Sequence, residues 1–157
     1  MPDPRVATPA DAAEIARLRS ENILSEPLDK AWLTTCADQL ALRLQDGGDA
    51  RAYVIDSPSG GLATCALGLV HAVLPAPKYP KGLAVRIHAV ATDPAHRRHG
   101  YAKAALAALL DHLELDGVTL YEVYASAGSA PLYQELGFAA DPALMRMTRF
   151  PAGGSAS

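Results

Sequence analysis

Residues 93–110 read DPAHRRHGYAKAALAALL. Two arginines and a histidine press against Gly100, and an Ala/Leu run with helical spacing follows at once. A helix start exposes backbone N–H groups that have no intrahelical acceptor, and it carries about half a positive charge from the aligned peptide dipoles. With no side chain at Gly100 and only a methyl at Ala102, the backbone there can close on an anion, while Arg97, Arg98 and Lys103 add charge. The stretch therefore reads as a phosphate-binding junction. It is neither a nucleotide P-loop, which needs GxxxxGK[ST], nor a dinucleotide fingerprint, which needs GxGxxG. Taken alone, a basic first turn with glycine at a tight bend would look the same.

Working outward, residues 83–92 alternate as a strand. Val85, Ile87, Ala89 and Ala91 are expected on a core face, with Arg86, His88, Val90 and Thr92 sharing the other. Residues 99–113 place Ala102, Ala105, Leu106, Leu109, Leu110 and Leu113 on a helical stripe. A strand at 118–124 follows, then a short helix at 131–136 with proline in its first turn and Gly137 just past its end. A closing strand is expected at 144–150, and 151–157 (PAGGSAS) is expected to be a disordered tail. Toward the N-terminus, a short strand at 5–7 precedes a helix that starts at 8–11 and runs to about residue 23. A second helix spans 29–45, its buried face predicted as Trp32, Leu33, Leu40 and Leu44. Strands at 52–55 and 62–74 flank a turn at 57–61, and a loop carries Pro75, Pro77 and Pro80. The order β-α-α-β-β-β-α-β-α-β describes an α/β domain with a mixed sheet over residues 1–150.

Bulk properties narrow the function. The 157 residues are half hydrophobic and one-fifth charged, a globular composition able to bury a core. A net charge of -3, with one local basic cluster at Arg97 and Arg98, argues against a nucleic-acid or anionic-membrane partner. No run reaches the length of a membrane span and the N-terminus lacks a signal-peptide core, so a cytoplasmic location is expected. Cys36 and Cys65 sit in no CxxC pair and read as buried, reduced thiols. The five histidines show no metal-ligand spacing, so no metal is expected.

A second segment, ASAGSAPLYQELGF at 125–138, adds to the first. Together they resemble the GNAT superfamily of acyl-CoA N-acyltransferases. Arg97, Gly100 and Ala102 match its pyrophosphate motif Arg/Gln-x-x-Gly-x-Gly/Ala, and PLYQELGF resembles its later motif of a tyrosine before Leu-Gly-Phe. The resemblance covers nearly the whole chain, from RVATPADAAEIARLR onward. It implies an α+β fold, with a mixed, mostly antiparallel sheet of about six to seven strands and about four helices. It also implies acetyl-CoA as co-substrate and an amine of a small molecule or peptide as acceptor, with a homodimer left open.

Roles follow residue by residue from the resemblance. The strand at Val90, Ala91 and Thr92 would pair its backbone with the pantetheine arm, and a backbone N–H near Val90 would polarise the thioester carbonyl. Amides of Arg98, His99, Gly100, Tyr101 and Ala102 would take the pyrophosphate, with Arg97 and Lys103 beside it. Ser126 would lie near the acetyl end. Tyr133 would protonate the departing thiolate. The base stays open. The strand reads Arg86-Ile87-His88 where many members carry glutamate, and the family's frequent asparagine is replaced by Ala127. His88, Glu122 or a water relay remain. The acceptor pocket would come from residues 22–32 and 74–82, and the acidic Glu21, Glu26 and Asp29 would suit a cationic amine. A catalytically silent acyl-CoA sensor would keep the phosphate loop and lose Tyr133. A nucleic-acid-binding module would need a broad basic face with exposed aromatics, which is absent.

Overall fold

The computed structural model describes residues 2–151, and its frame is a five-stranded sheet whose spatial order follows chain order. β1 (Arg5–Val6), β2 (Ala50–Asp56), β3 (Leu62–Ala72) and β4 (Leu83–Thr92) pair antiparallel in sequence. β5 (Leu120–Val123) lies parallel to β4. A parallel step needs a crossover, and the Ala/Leu helix α3 (Tyr101–Leu115) supplies it. Its Leu106, Leu109 and Leu113 recur at i, i+3 and i+7 and are fully buried against one sheet face. The short α4 (Ala130–Glu135) joins them there, contributing Tyr133. The opposite face carries α1 (Ala12–Asn22) and α2 (Lys30–Arg43), whose Ile15, Leu18 and Leu40 meet Val54, Cys65 and Leu67.

The start of α1 is fixed by charge. Asp11 accepts the Thr8 N–H at 2.8 Å in a capping box, and Arg5 donates to both oxygens of Asp11 and both of Asp56. Strand β1, the first helical turn and the end of β2 are thus held by one guanidinium. On α1, Arg17 is enclosed by Glu14, Glu21 and Asp93, and Glu14 also accepts the Leu62 N–H at 2.9 Å.

Three expectations from the sequence are corrected. The alternation in β4 does not keep one core face. Leu67 lies opposite Ala89 and Gly68 opposite Ile87, so His88 is an extra residue, a bulge that reverses parity. Val85 and Ile87 pack on the α3 side together with Val90, whereas Ala89 and Ala91 pack toward α1 and α2. Second, residues 144–150 form no strand, which leaves five strands among the described residues rather than six to seven. Asp141 turns the chain by accepting the N–H groups of Ala143 and Leu144, and beyond it no backbone bond reaches the free edge of β5. Met145 and Met147 stay exposed. Third, Trp32 is 63% exposed. The inward stripe of α2 runs through Leu33, Cys36, Ala37, Leu40 and Leu44, and Trp32 falls one residue, about 100°, off it.

Cys65 is buried and its thiol is pushed up to about 12 by desolvation, while Cys36 is only half-buried; both are free thiols. The tail expected at 151–157 lies outside the described residues except for Pro151. Among the described residues no helix is long and apolar enough to cross a membrane.

Candidate active site

Strands β4 and β5 pair from Ala84 opposite Leu120 to Ile87 opposite Val123, and there the ladder stops. β4 continues to Thr92, bonded only to β3 on its other side. Past the bulge, one flank of Val90, Ala91 and Thr92 is therefore open, with the N–H and C=O groups of an unpaired edge. The strand is held straight by buried Thr64, which donates to the Ala91 carbonyl at 2.8 Å and bonds the Thr92 hydroxyl at 2.7 Å.

The next residues turn into α3 through two left-handed positions. Gly100 has φ +76° and Arg98 has φ +67°, the latter a conformation that a residue with a side chain adopts at a cost. Such turns aim successive N–H groups into one concavity. Among the described residues, no backbone N–H from 97–103 donates to a protein acceptor. The first internal bond of the helix is Ala104 N–H to the Gly100 carbonyl at 3.1 Å. A Cβ built on Gly100 meets nothing within 4 Å, so the glycine serves the backbone angle rather than a steric gap in the protein. Arg97 donates to Asn22 at 2.8 Å, which ties the loop to the end of α1. Lys103 pairs with Glu135 at 3.3 Å, across to α4.

A cleft of about 720 Å³ gathers these elements. Val90, Ala91, Thr92, Arg97, Arg98, Gly100, Tyr101, Ala102, Lys103, Ser126 and Tyr133 all line it. His99 does not; its ring stacks on Tyr101 at 5.4 Å. Ser126 and Ser129 share a hydroxyl bond at 2.9 Å where the chain turns into α4. Tyr133 is buried and packed edge-on against Phe138. Its hydroxyl has no protein partner among the described residues, yet no sealed side-chain N or O atom there lacks one, so the hydroxyl is accessible; the residue lines both this cleft and the groove that carries Glu122. Burial raises its pKa above the ordinary tyrosine value, which keeps the proton on the oxygen at neutral pH.

His88 stands apart, in a separate recess with Arg19 and Arg43 between α1, α2 and the sheet. The residue is exposed by area, but enough protein surrounds the ring for desolvation to lead the lowering of its pKa, followed by Arg86, Arg19 and Arg43. The imidazole is thereby neutral at physiological pH. Glu122 lies opposite Arg86 on β5 and lines a different groove, with residues 138–144. No group of three His, Cys, Asp or Glu side chains among the described residues is placed to hold a metal.

Residues 19–138 match the model of the acetyltransferase (GNAT) family. The chain belongs to that family. Solved structures share its fold. A predicted acetyltransferase with acetyl-CoA from Clostridium acetobutylicum is similar at 16% identity over 94% of this chain and 96% of that one, with a TM-score of 0.80. A GCN5-related N-acetyltransferase from Ralstonia eutropha JMP134 gives 22% identity, 96% and 99% coverage, and 0.75. Glucosamine-6-phosphate N-acetyltransferase from Arabidopsis thaliana gives 18%, 96% and 98%, and 0.69. No curated protein matches the chain.

In this acetyltransferase, sequence reasoning missed several residues that the site uses. Asn22, which holds Arg97, lies far from the motif in sequence, and Glu135, which holds Lys103, sits inside PLYQELGF with no role assigned to it there. His96, another lining residue, bonds Ser57 at 3.0 Å and so fixes the loop to the β2–β3 turn. Arg19 carries no motif in the sequence; only packing shows it beside His88.

Proposed function

We propose that the protein is an acetyl-CoA-dependent N-acetyltransferase that acetylates a primary amine of a small molecule or peptide by direct attack in a ternary complex. One observation carries the reading: a strand edge left open by the β4–β5 splay runs straight into a loop of unpaired amides, and Tyr133 lines the same cleft. The residues fit the co-substrate. Amides of 98–102 would hold the pyrophosphate, with Arg97, Arg98 and Lys103 lowering its charge. Val90 and Thr92 would bond the pantetheine arm as an added strand would.

Bound acetyl-CoA supplies the acyl group, the C–N bond forming as the C–S bond breaks. The Val90 N–H donates to the carbonyl oxygen as charge gathers there. Tyr133 gives its proton to the sulfur. His88, neutral and so able to accept a proton, takes one from the ammonium directly or through a water, and the second proton, released as the amide forms, restores the Tyr133 phenol through water. His99 contributes its amide only, since its ring faces Tyr101. Among solved structures of this fold, one acetylates glucosamine 6-phosphate and another the alanine of a ribosomal protein, so the fold by itself does not select the acceptor.

The test joins binding to turnover. Acetyl-CoA should raise the melting temperature, and an amine panel should release free coenzyme A thiol in proportion to amide formed. Binding without thiol release from any amine would mark a silent sensor; no binding at all would end the reading.

A further inference from the structure

We infer that the acceptor amine carries an anionic group, a carboxylate or a phosphate, and that Arg19 and Arg43 hold this group in the recess beside His88. The inference rests on the acetyltransferase reading of the cleft and adds the chemical class of its second substrate.

The recess has a volume of about 240 Å³. Leu40, Leu67 and Leu69 give it apolar walls, Arg19, Arg43 and His88 supply its ionisable polar groups, and no carboxylate lines it. Arg19 has no hydrogen bond or ion pair among the described residues. The contrast with Arg17, two residues earlier on the same helix and enclosed by three carboxylates, is direct. Arg43 has a single long contact, 3.4 Å to Asp49, with both groups about half exposed. A third guanidinium, Arg86, stands two residues before His88 with its charge over the Tyr124 ring, which Arg146 covers as well; neither is in an ion pair. Around His88 the charges of Arg19, Arg43 and Arg86 thus outnumber those of Asp49 and Glu122, in a chain whose net charge is -3. Uncompensated guanidiniums at a recess attract an anion, and their fork matches carboxylate and phosphate oxygens.

Position links the recess to the cleft. Asn22 lines the cleft one helical turn beyond Arg19 on α1, and Val90 lines it two residues beyond His88 on β4. The two cavities have no lining residue in common, but α1 and β4 run from one to the other, so an acceptor anchored by its anion would extend its amine along β4 toward Val90. Two of the three acidic residues expected from the sequence to draw a cationic amine are engaged elsewhere. Glu21 receives Arg17 at 3.0 Å, and Asp29 caps α2 by accepting the Trp32 N–H at 2.9 Å.

The test titrates 3-aminopropyl phosphate, β-alanine and 1,3-diaminopropane by calorimetry into the free protein and into protein saturated with coenzyme A, and assays each by thiol release. At least one anionic amine is expected to bind about tenfold or more tighter than the diamine and to lead in kcat/KM. Arg19→Gln removes no protein contact, so the variant should fold; it should weaken the anionic amine by about tenfold and leave coenzyme A affinity unchanged, with Arg19→Lys recovering part. Which of phosphate and carboxylate binds tighter decides the anion. A diamine that binds as well, an anionic affinity untouched by Arg19→Gln and Arg43→Gln, or no binding by any of the three overturns the inference. Because titration into the free protein needs no acetyl-CoA, a failure of acetyl-CoA to bind would end the acetyltransferase reading alone.

Discussion

Gly100 and Tyr133 make separable demands on the cleft. Gly100 sits at φ +76° with open space where a Cβ would go, so Gly100→Val strains the backbone without a clash. The cost is about 1–3 kcal/mol, or about 2–4 °C of melting temperature per kcal/mol. The larger loss should be acetyl-CoA affinity, since a turn that leaves the left-handed region no longer aims its amides inward. A calorimetric affinity equal to the parent's would remove the loop from the binding site. Tyr133→Phe keeps the packing against Phe138 and deletes the proton, so turnover should fall by about 100-fold to 10,000-fold with acetyl-CoA affinity nearly constant. Because burial raises the phenol pKa, the parent's rate should fall on the alkaline side only above the ordinary tyrosine value of 10. His88 works in the opposite sense. Its pKa is lowered from 6.5 by burial and then by Arg86, Arg19 and Arg43, so it becomes a free base at a pH below 6.5. Plotted against pH, kcat/KM should rise through that lowered value and level before neutrality, with a second rise where the amine itself ionises. In His88→Gln the first rise should vanish; a profile that overlays the parent's would reduce His88 to a wall of the recess.

Among the elements, helices were easier to read than strand faces. Leu106, Leu109 and Leu113 repeat at helical spacing and are buried as that spacing requires. The bulge at His88 is one inserted residue in a run of alternating apolar side chains, and alternation continues across it, so nothing in the letters shows that the face has changed. Residues 144–150 have strand composition, but composition cannot show whether an edge pairs with them. The clamp at the N-terminal side of α1 is also long-range, since Arg5 and Asp56 are brought together only when β1 pairs with β2. Hydrogen bonds from Arg5, ahead of burial, hold the Asp11 carboxyl below its ordinary 3.8. A depressed carboxylate stabilises the fold above the unfolded value and loses that contribution as pH falls through the folded one. Asp11→Asn should therefore cost about 1–2 kcal/mol at pH 7, discounted for the half-exposed Arg5, which is about 2–8 °C of melting temperature. The gap between parent and variant should close as pH drops below about 4. A gap that stays constant from pH 7 to pH 3 would mean that the charge contributes nothing.

At the scale of the whole molecule, one sheet is covered on both faces, and its continuity breaks only where β4 and β5 part. The proposed coenzyme-binding half of the site could be proposed from sequence because its residues are contiguous, 90–103, and local backbone chemistry reveals itself locally. The recess proposed for the acceptor is assembled from α1, α2 and a bulged strand, so its residues meet only in the fold. The split has a measurable consequence. Amides at 98–103 and along the open flank of β4 have no protein acceptor, so they should exchange with deuterium rapidly in the free protein, whereas β3 amides bonded on both sides should exchange slowly. Acetyl-CoA would occupy the break and bond both regions. At a ligand concentration of about 100 times Kd, binding adds about 2.7 kcal/mol, and the melting temperature should rise by about 5–11 °C. Protection on binding should concentrate at 90–92 and 98–103 and leave the edge β1–β2 pair as it was. Protection spread evenly over the sheet would show a ligand that stabilises the fold without filling the splay. Protection at 98–103 alone would place the phosphates in the loop but leave the pantetheine arm off β4.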